Sequence, residues 1–140
     1  MAETAAQQAA QDMRKLASTT NPLEVIQNPI VMSVSLGVLG AYLARKAIYK
    51  ANRGVFGVAV PYKGGVKYYA PSETDPDKPD PSKEFPQART NRILFNLAGV
   101  VLGTLLINNT LTEDPMVDYL GLGVAAGSFA NVVMLLLDIE

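Results

Sequence analysis

The chain has 140 residues, is 49% hydrophobic, and carries a formal net charge of −1 with no Cys, His or Trp. That length allows one domain. Missing Cys excludes disulfides and thiolate chemistry, and missing His removes the usual general base, the commonest metal ligand and the usual haem ligand, so no catalytic residue, metal site or cofactor of its own is expected.

Ala2–Ser18 reads as a helix with Ala6, Ala9, Met13 and Leu16 on one face, while Gln7, Gln8, Gln11 and Asp12 lie elsewhere around it. A mostly alanine face fits a surface helix packed on a neighbour. The segment begins acidic and lacks an apolar core, so it does not read as a cleavable signal peptide. Pro22 ends it by biasing Asn21 away from the α region.

Pro29 opens an uncharged run, Ile30–Ala44. At 15 residues it is short for a bilayer. It reaches spanning length, as Asn28–Lys50, if Arg45 and Lys46 extend their charges to the headgroups.

Asn52-Arg53-Gly54 breaks this helix. Val55–Pro61 and Val66–Tyr69 are β-prone runs flanking Tyr62-Lys63-Gly64-Gly65, a hairpin pattern in which Pro61 must sit at an edge. Pro71–Pro86 holds five of the nine prolines and is expected to be an extended strap, neither helix nor central strand. Arg45–Arg92 carries ten of the twelve basic residues and five of the thirteen acidic ones, a net of +5 against −6 elsewhere. The positive-inside bias places this loop on the stroma, matrix or cytoplasm side, with the N-terminus opposite and the C-terminus on the loop's side.

A second uncharged run, Ile93–Ile107, predicts a span over Asn91–Leu111. The Asn108-Asn109-Thr110 sequon beside it reads as chance. Asp114 is a good N-cap, Pro115 suits the first helical position, and Asp118 falls where the helix dipole favours an anion. They open a third span, Pro115–Leu137.

Rows of small residues mark the spans: Ser33, Gly37 and Ala41; Gly99 and Gly103; Gly123 and Gly127. Such rows let helix backbones approach closely in lipid, and Asn96 and Asn131 can add hydrogen bonds between helices. The two GxxxG rows can face each other across spans two and three. Leu135 serves as the milder comparison if it faces lipid.

These elements predict an all-α membrane protein, one membrane domain over residues 1–140. It has three transmembrane helices, an N-terminal surface helix and a long basic, proline-rich loop able to form a β-hairpin. Its general build matches small accessory subunits of photosynthetic and respiratory complexes, an analogy of architecture. The expected role is a non-catalytic structural subunit of such a complex, in a thylakoid, mitochondrial inner or bacterial inner membrane. Its partners would be other membrane subunits and lipids, not nucleic acid, and any bound pigment would be held without histidine. The loop residues expected to meet a partner are Arg53, Tyr62, Lys63, Lys67, Tyr68 and Tyr69. The alternatives are a small self-associating transporter or channel, with Asn96, Asp118 and Asn131 lining a path, and a membrane assembly factor.

Overall fold

The computed structural model describes residues 2–108 and 114–139. Most of the turn expected between the second and third spans, Asn108–Pro115, lies outside the described residues, with the far end of the second predicted span and most of the sequon.

Among the described residues, six helices and three strands follow in the order α1 (Ala2–Ser18), α2 (Pro22–Gln27), α3 (Pro29–Ala51), α4 (Arg53–Phe56), β1 (Val58–Tyr62), β2 (Gly65–Pro71), β3 (Pro79–Glu84), α5 (Gln87–Ile107) and α6 (Pro115–Leu136). Helices α3, α5 and α6 are long and apolar enough to cross a membrane. Their 23, 21 and 22 residues correspond to about 32–35 Å at a rise of about 1.5 Å per residue, against a hydrocarbon core of about 30 Å. Leu36, Leu39 and Leu43 on α3, Val101, Leu102 and Leu105 on α5, and Leu122, Phe129 and Leu136 on α6 are all exposed on the isolated chain. Lipid or neighbouring helices are the natural cover for so much apolar surface.

Contacts divide the chain into two compact units: residues 1–41 with 99–127, and residues 42–98 with 128–140.

In the first unit the helix starts are capped as their sequences dictate. Asn21 Oδ1 accepts from the Leu23 amide at 3.0 Å, Asn28 Oδ1 from Ile30 at 2.9 Å, and Asp114 Oδ1 from Met116 at 2.9 Å. Asn28 also donates through Nδ2 to the Asp12 carbonyl at 2.8 Å, which fastens α1 to the entry of α3. The side of α1 that becomes buried overlaps the expected face in part: Ala9 and Leu16 are half-buried, but Asp12 is buried with them and Met13 is not. Met13 is 54% exposed and Asp12 only 2%.

Glycines set the spacing of the spans here. A Cβ on Gly37 or on Gly123 would collide with backbone: Leu120 O in the first case, Val34 O in the second. A Cβ on Gly127 would lie 3.1 Å from Val38 Cα. A Cβ on Gly103 would stand 2.5 Å from both Gly121 O and Ala125 N. The two GxxxG rows therefore do not meet. Gly123 and Gly127 face α3, while α5 packs its Gly103 on Gly121 and Ala125. The reason is angular: at about 100° per residue, positions two apart lie on opposite faces of a helix. Helix α6 thus uses one small-residue row for each neighbour.

The second unit gathers the end of α3, the start of α5, the end of α6 and the segment between α3 and α5. That segment folds as a three-stranded antiparallel sheet ordered β1-β2-β3, so all-α is only an approximation. Val58 pairs with Tyr69 and Tyr62 with Gly65 across a two-residue Lys63-Gly64 turn. Gly64 has φ +111° and Gly65 φ +158°, values a side chain disfavours. The strap is more ordered than composition implied. It includes β3, which pairs Glu84 with Tyr69 and Pro79 with Pro71 around an irregular register. Proline is compatible because β3, like the Pro61-containing β1, is an edge strand. A core of Tyr68, Ala88 and Leu135, with Ala59, Val66, Phe85 and Ile93 packed against it, joins sheet and helices. Leu135 is 2% exposed and so does not face lipid.

Candidate functional site: the arginine-fastened sheet

Four residues of α5, Arg89, Arg92, Ile93 and Asn96, recur at spacings of three, four and seven, which puts them on one helical face. Arg92 is 1% exposed. It donates through Nε to Phe56 O at 2.7 Å and through Nη2 to Gly57 O at 3.0 Å. The two carbonyls converge because Gly57 turns the chain with φ +65°. A Cβ there would also press on Ala88 Cβ at 2.8 Å. The guanidinium lies 4.4 Å from the Tyr49 ring centroid and 4.8 Å from that of Tyr68. Both rings stabilise the buried charge through their electron-rich faces. Arg92 therefore ties together α3, α4, β2 and α5.

A polar chain extends from it. Asn96 Nδ2 donates to Tyr49 OH at 2.5 Å and to Arg92 O at 2.8 Å, and Asn131 Nδ2 donates to Asn96 Oδ1 at 3.0 Å. Asn96 and Asn131 meet as the sequence suggested, although the tyrosine that completes the chain carried no recognisable signal. Tyr49, Phe56 and Phe95 pack with ring centroids 4.9–5.8 Å apart. Asn131→Ala is expected to cost about 0.6–1.7 kcal/mol, from the average to the largest value typical of hydrogen bonds between membrane helices. Thermal unfolding in detergent checks this.

Arg89 closes the end of α6. Its Nη2 donates to Leu135 O at 2.7 Å and Leu136 O at 3.1 Å, and its Nη1 lies 3.1 Å from Asp138 Oδ1. A cation on the last carbonyls of a helix suits both the unpaired acceptors and the dipole. Asp138 in turn lies beside Gly65: a Cβ on that glycine would be 3.1 Å from Asp138 Cβ. The chain's last described residues and the basic segment thus share one side.

The loop residues singled out in the sequence fall into two groups. Tyr62, Lys63 and Lys67 are exposed at the hairpin end, with Lys67 Nζ 5.2 Å from the Tyr62 ring centroid. Arg53 and Tyr69 are half-buried. Tyr68, at 5% exposure, points inward and serves the protein's own core. On the β3 edge, Asp80 accepts from Ser82 Oγ at 2.6 Å and from the Ser82 amide at 3.0 Å. Those bonds hold its carboxyl below the usual carboxylate range. Their support for the strand is present at neutral pH and fades in acid, as pH falls through the lowered pKa.

A cavity of about 380 Å3 opens beside the hub, lined by Lys46, Tyr49, Lys50, Arg53, Val58, Ala59, Asp77 and Arg92. Among the described residues no group of three or more His, Cys, Asp or Glu is arranged to hold a metal ion. Asp118 lies in the first turn of α6, where its charge meets the helix dipole. Compared with known protein families, characterised proteins and solved structures, the chain shows no significant match.

Proposed function

We propose that this chain is a non-catalytic structural subunit of a multi-subunit energy-transducing membrane complex, photosynthetic or respiratory. Its three spans pack against neighbouring subunits, and its sheet docks on a partner at the basic side of the membrane. One observation carries this reading: the segment between the first two spans is not slack but fastened to the helix ends through Arg92 and through the core of Tyr68, Ala88 and Leu135. A rigid surface loses little entropy on docking. That surface presents Tyr62, Lys63 and Lys67 outward. A tyrosine flanked by lysines suits a partner of acidic or mixed charge.

Both sheet edges carry prolines, Pro61 on β1 and Pro79 and Pro81 on β3. Such edges resist pairing with a foreign strand, so recognition falls to side chains. The sequence's charge bias supports placing this side in the stroma, matrix or cytoplasm. The experiment is substitution of Tyr62→Ser together with Lys63→Glu and Lys67→Glu, three exposed positions. Expected is normal membrane insertion with a roughly ten-fold loss of incorporation into the complex, the scale of a disrupted interface anchor. Undiminished incorporation would show that the hairpin end is not the docking surface.

A further inference from the structure

The cavity beside Arg92 is a concentration of positive charge that the structural role leaves unexplained. Lys46, Lys50, Arg53 and Arg92 line it against one carboxylate, Asp77. That carboxylate is a poor counter-ion: Asp77 Oδ1 lies 4.0 Å from Arg53 Nε and is largely exposed. A charge-assisted hydrogen bond would be about 2.7–2.9 Å long. Arg53 Nε itself is buried with no hydrogen-bond partner, and Arg53 Nη1 reaches Gly57 O only at 3.5 Å. Arg92 adds field to the site while its Nε and Nη2 are engaged with backbone carbonyls. Lys50 is exposed at the rim, and Lys46 stands 5.0 Å from the Tyr42 ring centroid. Like charges lining one cavity repel, and an anion bound among them relieves that repulsion.

The depth of the cavity selects the anion. Lys46 and Lys50 follow the uncharged run Ile30–Ala44 by two and six residues, about 3 and 9 Å along the helix. Arg92 directly precedes the uncharged run Ile93–Ile107. The cavity therefore lies where the apolar part of two spans gives way to charge, at the level of lipid headgroups. Tyr49, Val58 and Ala59 supply its less polar wall.

We propose that this cavity binds a phosphate group, with Lys46 and Lys50 as point charges at its mouth and the buried Nε of Arg53 as an inner donor. Two sources share that chemistry: the phosphodiester of an anionic phospholipid, and free phosphate. Arginine and lysine are the side chains that recognise it, the former by directed donors and the latter by charge. Basic pockets at the ends of transmembrane helices on the positively charged side suit anionic headgroups.

The test uses the full chain, purified in neutral detergent and stripped of lipid, with binding read by native mass spectrometry. Phosphatidylglycerol, phosphatidylcholine and inorganic phosphate are titrated separately. Expected is retention of phosphatidylglycerol over phosphatidylcholine, weakened roughly thirty-fold by Lys46→Gln with Lys50→Gln. Both positions are exposed, so the fold should survive, and an unchanged circular dichroism melt verifies it. Lys78→Gln with Lys83→Gln, exposed and outside the cavity, should leave binding intact. Inorganic phosphate binding as tightly as the lipid, with the same loss in the double variant, would assign the site to free phosphate. Equal retention of both lipids together with no phosphate binding, or binding indifferent to Lys46→Gln with Lys50→Gln, would overturn the proposal.

Discussion

Replacing Arg92 with leucine is expected to release the sheet from the helix ends. The guanidinium makes two hydrogen bonds to carbonyls, at 2.7 and 3.0 Å, and sits against two tyrosine rings, all at 1% exposure. Removing it leaves Phe56 O without that donor and deprives Tyr49 and Tyr68 of their shared cation. Truncating one member of a buried charged network costs roughly 3–5 kcal/mol. The loss falls on the second unit, because every partner belongs to it. Limited proteolysis should cut within residues 58–84 of the variant under conditions that spare the parent protein. Arg92→Lys should not rescue it, since an ammonium cannot present two directed donors and a planar face together. A variant as resistant as the parent would mean that the apolar core of Tyr68, Ala88 and Leu135 holds the sheet without the arginine.

The second large effect belongs to Gly123→Leu. A Cβ at Gly123 would strike Val34 O and stand 3.0 Å from Gly37 Cα. These are backbone atoms, which cannot swing aside as a flexible side chain would. The helices must separate, and the packing that holds spans together in lipid weakens with distance. About 3 kcal/mol or more is the expected cost, at the upper end for overpacking. Gly40 is the internal control, because nothing lies within 4 Å of a Cβ built there. Gly40→Ala should be neutral, or stabilising by up to about 1 kcal/mol through helix propensity. Unfolding in mixed detergent should separate the two clearly, and equal effects would show that the α3–α6 contact does not depend on backbone proximity.

The spans were legible because their signal is compositional. Ile30–Ala44, Ile93–Ile107 and Met116–Leu137 are long apolar runs bounded by Pro, Asn and charge, and the helices form there. The hairpin was legible through Gly64-Gly65. What composition hid was pairing at a distance. Pro79–Glu84 reads as an extended strap, and nothing in its composition shows that β2 supplies an edge for it to pair with. Helix α5 begins at Gln87, so Arg89 and Arg92 occupy its first turns. In the sequence they are two more cations of a basic loop, with nothing to reveal that one caps α6 and the other binds two carbonyls 35 and 36 residues away. Among the small-residue rows, spacing identified the contact positions but not their partners, since Gly121 and Ala125 stand on the opposite face of α6 from Gly123 and Gly127. Tyr62 and Tyr68 are both tyrosines of a β-hairpin, and the pleat together with the place of Tyr62 at the hairpin end separates the exposed one from the buried one.

The most direct measurement is the mass of the particle that carries this chain when its native membrane is dissolved in a mild, non-denaturing detergent. The account predicts co-migration with a large multi-subunit complex, and loss of the chain from that complex in the Tyr62→Ser, Lys63→Glu, Lys67→Glu variant. A particle containing only copies of this chain, active in ion or solute flux after reconstitution, would contradict it.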